Sequence, residues 1–310
     1  MLQILKTVDN NLKELQDFEN NIWINLINPT EQEIDRVGKL GIDTDYIRAA
    51  LDEEERSHIE SDNGQILIII DIPLIRKQED DDNFHTTIPL GIILFDQGVV
   101  TVCLAENTII KDFIKRRIRG FYTNFKSRFV LQILLRASTR YLIYLRRIDN
   151  KSSKIEKELH KSLKNSELIE LLKLEKSLVY FSTSLKSNEV VLERLRRMGE
   201  FKLYEEDVEL LDDVIIENKQ AIEMATIYSS ILSGTMDAFA SVISNNLNMV
   251  MKFLASITIV LAIPTIVFSF YGMNVPLPLQ NNPWAFLVTI GVSIVFCGVS
   301  VYLLLKKKMF

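Results

Sequence analysis

A chain of 310 residues with a net charge of −5 and 47% hydrophobic residues has room for one large or two ordinary domains, and it fits a soluble body carrying a small membrane part. The negative charge, with no matching binding motif, argues against nucleic acid as a partner. Two cysteines, Cys103 and Cys297, exclude a disulfide framework, and His58, His85 and His160 lack metal-ligand spacing, so they read as surface or structural residues.

The N-terminus carries no apolar signal peptide, because Lys6, Asp9, Lys13, Glu14 and Asp17 interrupt it. The first 250 residues are therefore expected in the cytoplasm. Runs rich in Ile and Val predict strands at Leu2–Leu5, Ile22–Ile27, Ile66–Ile70, Ile88–Phe95 and Val99–Leu104. Pro29-Thr30-Glu31 opens a helix through Leu40, and Asp43 caps another through Leu51. Gln78 to His85, with four acids, reads as an exposed hairpin loop. Residues 1–121 are thus expected to form a cytoplasmic α/β or α+β domain. It is acidic, with 23 acids against 13 bases through Gly120.

Residues 122–247 change character. Proline is absent, and apolar residues recur at three and four (Leu131, Leu134, Leu135, Ala137, Tyr141, Leu142, Leu145), as in amphipathic helices. Breaks near Asn150, around Ser187-Asn188 and at Gly199 predict three long antiparallel helices, the last running into a membrane span. Two charge blocks lie here. Residues 111–154 hold 13 bases and two acids, and residues 200–223 hold nine acids and two bases. They read either as solvated helix faces that attract one another, or as a basic collar and a cation-attracting surface.

Residues 253–305 contain no Asp, Glu, Lys or Arg, enough for two membrane helices of about 20 residues each. We divide this part into a first span at 248–271, a loop at 272–283, a second span at 284–305 and a basic tail at 306–310. Lys252 precedes the first span, and Lys306, Lys307 and Lys308 follow the second. The positive-inside rule then puts both chain ends in the cytoplasm and the loop outside.

Stepping by three and four along the first span gives Asn248, Met251, Ala255, Thr258, Ala262, Thr265, Ser269 and Gly272. Every member except Met251 is small or polar, and the remaining positions are mostly bulky. Such a stripe serves either as a tight helix–helix seam or, in several copies, as the wall of an aqueous path. Asn248 and Asn274 at its ends, and no charged member within the stripe, favour a path for cations. Tyr271-Gly272-Met273-Asn274 closes the span: Gly272 lets the backbone leave the helix, and Asn274 offers a carbonyl oxygen. A ring of such oxygens suits the water shell of Mg²⁺, which dehydrates reluctantly. Pro264 lies mid-span, as a kink or as a proline tolerated by its neighbours.

These features resemble the CorA family of divalent-cation channels. The resemblance covers essentially the whole chain, and its sharpest points are Gly272-Met273-Asn274 and the first span. Asn248, spaced 26 residues before Asn274, looks like the family's inner pore entrance. The resemblance implies an α/β cytoplasmic domain, long helices leading into two transmembrane helices, and a funnel-shaped homopentamer with the first span around its axis. It implies that Asn274 selects a hydrated ion, with Tyr271, Gly272 and Met273 in the same motif, and that Thr265 and Asn248 form further polar rings. Met251 and Leu254 match the hydrophobic gate. Asp237 and Asp213 match acidic positions where intracellular Mg²⁺ holds the closed form. The basic collar would be Lys252 and Lys306–Lys308. Two departures stand out: the outer loop has no acid, and Ala262 replaces a bulkier residue of some relatives.

The expected function is gated Mg²⁺ entry across the plasma (inner) membrane, driven by membrane potential and closed by intracellular Mg²⁺. Co²⁺, Ni²⁺ and Zn²⁺ are the other candidate ions. The competitors are a Zn²⁺ transporter of the related subfamily and a membrane-anchored oligomeric scaffold or sensor. The absence of a phosphate-binding glycine loop argues against a nucleotide partner, and no nucleophile–base constellation points to an enzyme.

Overall fold

The computed structural model describes all residues except 78–82, 160–164, 202, 276–282 and 308–310. The chain divides into two compact units, Met1–Thr235 and Met236–Phe310.

The first unit is built on a seven-stranded sheet of order β2-β1-β3-β7-β6-β5-β4. Its strands are β1 (Leu2–Val8), β2 (Asn11–Leu15), β3 (Ile22–Ile27), β4 (His58–Asp62), β5 (Gln65–Lys77), β6 (Asn83–Phe95) and β7 (Gly98–Cys103). All pairs are antiparallel except β3 with β7. Because side chains alternate across a strand, a strand buried on both faces reads as a continuous apolar run. Thus Ile66, Ile68, Ile70 and Ile72 enter one core, while Leu67 and Ile69 enter the other.

The second of these cores is covered by α1 (Glu31–Gly38) and α2 (Thr44–Ala49). Thr30 and Glu33 form a capping box at α1, and Asp43 caps α2 through the Asp45 amide. The first core is covered by α3 (Thr108–Ile114), α4 (Lys126–Leu159), α5 (Asn165–Arg197) and the start of α6 (Glu205–Tyr271). Fully buried Trp23 anchors it. Its ring meets Phe113, Phe121 and Phe129 edge-on at 5.0–6.3 Å, and its indole N–H donates to Thr101 Oγ1 at 2.8 Å.

Three long helices do occur, but two of the expected breaks do not. Helix α4 runs through Asn150, whose amide donates back to the Arg146 carbonyl, and α5 runs through Ser187-Asn188. Asn188 is buried, and its amide clasps β5: Nδ2 donates to the Asp71 carbonyl, while Oδ1 accepts from the Asp71 amide and from Ser57 Oγ, all at 2.8–2.9 Å. A tertiary partner has turned a helix-breaking residue into a sheet anchor. The chain does leave helix between Arg197 and Glu205, around Gly199.

The loop expected at Gln78–His85 does not extend to His85. Residues 78–82 lie outside the described residues, but β6 already begins at Asn83 and His85 is buried. Its ring packs edge-on against Tyr144 and Phe181, and neither ring nitrogen has a hydrogen-bond partner. Burial, with smaller contributions from Arg147 and Lys151, lowers its pKa to about 4. His160 lies outside the described residues.

The second unit holds the C-terminal part of α6 and all of α7 (Ala285–Lys306). Both helices are long and apolar enough to cross a membrane.

Candidate functional site

Helix α6 extends unbroken from Glu205 to Tyr271, and its C-terminal part carries the whole stripe expected from the sequence. Asn248, Met251, Ala255, Thr258, Ala262, Thr265, Ser269 and Gly272 are all exposed in the chain. The opposite side is where burial occurs: Ser256 is fully buried, and Val260, Ile263, Pro264 and Val267 are half-buried. Helix α7 packs within this unit, and its Cys297 thiol reaches the Val260 carbonyl at 3.7 Å. The polar stripe therefore points away from the described contact with α7, which is made by a different face.

The hydroxyls on α6 are partly satisfied by their own helix. Thr258 donates to the Leu254 carbonyl at 2.8 Å, and Thr265 donates to Leu261 at 3.3 Å. Each hydroxyl oxygen keeps lone pairs to offer outward. Met251 and Leu254 are 57% and 52% exposed, so neither is consumed by packing inside one chain.

The helix ends at Tyr271, so the chain leaves it at Gly272. Gly272 is not among the described residues with positive φ, and its amide donates to both Phe268 and Ser269 carbonyls at 2.9 and 3.2 Å. The Met273 amide follows to Phe270 at 3.4 Å. The last turn thus tightens toward a 3₁₀ pattern, which satisfies terminal carbonyls without a glycine conformation. A Cβ at Gly272 would sit 3.4–3.5 Å from those same carbonyl oxygens. Met273 and Asn274 are exposed beyond the helix end, and Tyr271 is half-buried. The outer loop expected without acids falls mostly at 276–282, outside the described residues.

The two acidic candidates lie on different units of the same helix. Asp213 is exposed in the first unit, and Asp237 is exposed in the second. Among the described residues no cluster of three or more His, Cys, Asp or Glu side chains could hold a metal ion within one chain. Lys252, Lys306 and Lys307 are exposed, and Lys308 lies outside the described residues. The charge blocks meet at Arg128, whose Nη1 lies 2.7 Å from Glu206. Arg140 and Arg117 of the basic block instead bracket Asp112 within that block, at 2.8 and 3.1 Å.

Two polar features escaped the sequence. One is the Asp71–Asn188 clasp, where Tyr141 also donates to the Asp71 carbonyl at 3.1 Å and burial raises the Asp71 carboxyl pKa. Asp71 interrupts an isoleucine run, and that interruption was its only signal. The other is Cys297, visible in the sequence only as a polar-capable residue inside an apolar span.

Comparison with known proteins completes the assignment. The profile of the family described as CorA-like Mg²⁺ transporter protein matches residues 18–307. The cobalt/magnesium transport protein CorA of Methanocaldococcus jannaschii is 30% identical over 91% of this chain and 89% of its own length. That of Thermotoga maritima is 24% identical over 98% of this chain and 88% of its own. The solved complete CorA magnesium transporter of M. jannaschii superposes with a TM-score of 0.84 at 26% identity, covering 98% of this chain and 96% of that one. With this sheet, these long helices and these two apolar C-terminal helices, the chain belongs to the CorA-like Mg²⁺ transporter family.

Proposed function

We propose that the protein is a gated membrane pathway for divalent cations, carrying Mg²⁺ inward and closing when intracellular Mg²⁺ rises. The observation that carries this reading is the exposed stripe from Asn248 to Gly272, with no charged member, on a helix whose other side is the one that packs. A polar face left unpartnered in hydrocarbon needs other copies or water against it. A homopentamer, with α6 of each copy around a common axis, gives it both. Asn274 then forms the outer ring for the hydrated ion, with Tyr271, Gly272 and Met273 presenting it. Thr265 and Asn248 form inner rings, and Met251 and Leu254 close the path by dewetting.

The driving force is the membrane potential, roughly 4.6 kcal/mol for a divalent ion at 100 mV. Both chain ends lie in the cytoplasm, with Lys252 and Lys306–Lys308 as a collar at the inner face. Asp237 and Asp213 supply closure. Carboxylates gathered between copies repel unless a cation neutralises them, so bound Mg²⁺ favours the closed assembly. Co²⁺ is the second ion, supported by the names of both relatives. No observation favours the zinc or scaffold readings.

The test is Mg²⁺ uptake into liposomes holding the purified protein, with Mg²⁺ varied on the cytoplasmic face. Uptake that falls as internal Mg²⁺ rises supports the proposal. Assembled protein that passes no divalent ion overturns it.

A further inference from the structure

Pro264 sits inside α6, and a proline has no N–H to give to the carbonyl four residues earlier. That carbonyl belongs to Val260. In hydrocarbon no water can replace the missing donor, so a neighbouring group must. The Cys297 thiol of α7 lies 3.7 Å from this same oxygen, in donor geometry. Cys297 is half-buried, and both residues lie in the second unit. The proline and the thiol are thus two independent features that meet at one atom.

We propose that Cys297 is a positioning residue: its S–H occupies the carbonyl that Pro264 leaves open and fixes α7 against the middle of α6. Val260 lies between Leu254 of the gate and Thr265 of the polar stripe. A latch there sets how α6 shifts against α7 when the pathway opens. An S–H···O bond is weak, so it biases a two-state element without locking it. The gating consequence rests on the function proposed above; the bond itself does not.

The test is a double-mutant cycle on the full-length protein, using Cys297→Ala, Pro264→Ala and their combination. Alanine at 264 restores a backbone N–H to Val260, so the thiol becomes redundant. Cys297→Ala alone is expected to lower the melting temperature and to shift the half-inhibiting Mg²⁺ concentration about threefold or more, a coupling within the usual range for residues in contact. In the Pro264→Ala background the same change should do neither, and Cys297→Ser, which keeps a donor, should restore most of both. The infrared S–H band, isolated as wild type minus Cys297→Ala, should lie at the hydrogen-bonded position. A free-thiol band, or equal effects of Cys297→Ala in both backgrounds, overturns the latch. Protein that conducts nothing but still shows the bonded band and the thermal cycle keeps the latch and removes the transport reading instead. A bonded band with an unchanged Mg²⁺ inhibition curve removes the gating role.

Discussion

The two units bury their apolar residues in opposite ways. In the first, Trp23, Phe113, Phe129 and Phe181 are within 1% of full burial, and the sheet is covered on both faces. In the second, Leu261, Ile266, Ile294 and Phe286 are 65–72% exposed, although the segment is far more apolar. One unit completes its core within a single chain. The other leaves its apolar surface for lipid and for other copies. In the first unit the buried Asn188 amide is held by its own chain. In the second, an exposed polar residue is the feature that calls for explanation.

This contrast can be broken by exchange of readouts. The largest effect on transport is expected at Asn274→Ala, which should lower selective Mg²⁺ flux at least about tenfold, the equivalent of about 1.4 kcal/mol in ion stabilisation, without moving the melting temperature. Trp23→Ala should do the reverse. It removes a fully buried indole and its bond to Thr101, and chemical denaturation should register a loss of about 3–5 kcal/mol. A Trp23 variant as stable as the wild type would mean that the sheet does not depend on this aromatic cluster.

Asn188→Ala comes next, at about 2–3 kcal/mol, because it strands the Asp71 amide and the Ser57 hydroxyl together and leaves the Asp71 carbonyl only its bond from Tyr141. Asp237→Ala should leave stability alone and raise the Mg²⁺ concentration needed for closure several-fold. An unchanged inhibition curve would remove Asp237 from the mechanism.

The last prediction concerns pH. His85 has a folded pKa of about 4, below its ordinary 6.5, so the unfolded chain binds the extra proton between these values. Stability from neutral His85 is complete above pH 6.5 and is lost as pH falls toward 4. The loss is on the order of 3 kcal/mol, since one pKa unit corresponds to about 1.36 kcal/mol. His85→Phe should flatten the unfolding free energy across that window. An equally steep slope in the variant would place the acid sensitivity elsewhere.

Much of the fold was legible because its signals are local. The Ile and Val runs fixed five strands, Thr30 and Asp43 fixed two helix starts, and a stretch without charges revealed two membrane-length helices. Strands β2 and β4 were missed because Asn11–Leu15 and His58–Asp62 are polar edge strands, whose pattern is weak. Asn150 and Ser187-Asn188 misled because helix propensity gives way when a side chain finds a backbone partner. At the candidate site, the stripe and the Asn residues could be read directly from spacing. Which face of α6 packs on α7 could not, because the answer depends on the partner helix. The pairing of Cys297 with Val260 was hidden for the same reason: 37 residues separate them, and only packing brings them together.

The most direct test sets two hydroxyl positions of the same helix against each other. Thr265 is exposed on the stripe, and Ser256 is fully buried on the other side. Mg²⁺ flux into liposomes should be measured for Thr265→Leu and Ser256→Ala, each beside its melting temperature. Thr265→Leu is expected to lower flux at least about tenfold at unchanged stability, while Ser256→Ala changes stability by about 1 kcal/mol and flux little. Wild-type flux through Thr265→Leu would show that the stripe is a packing seam and would contradict the ion path.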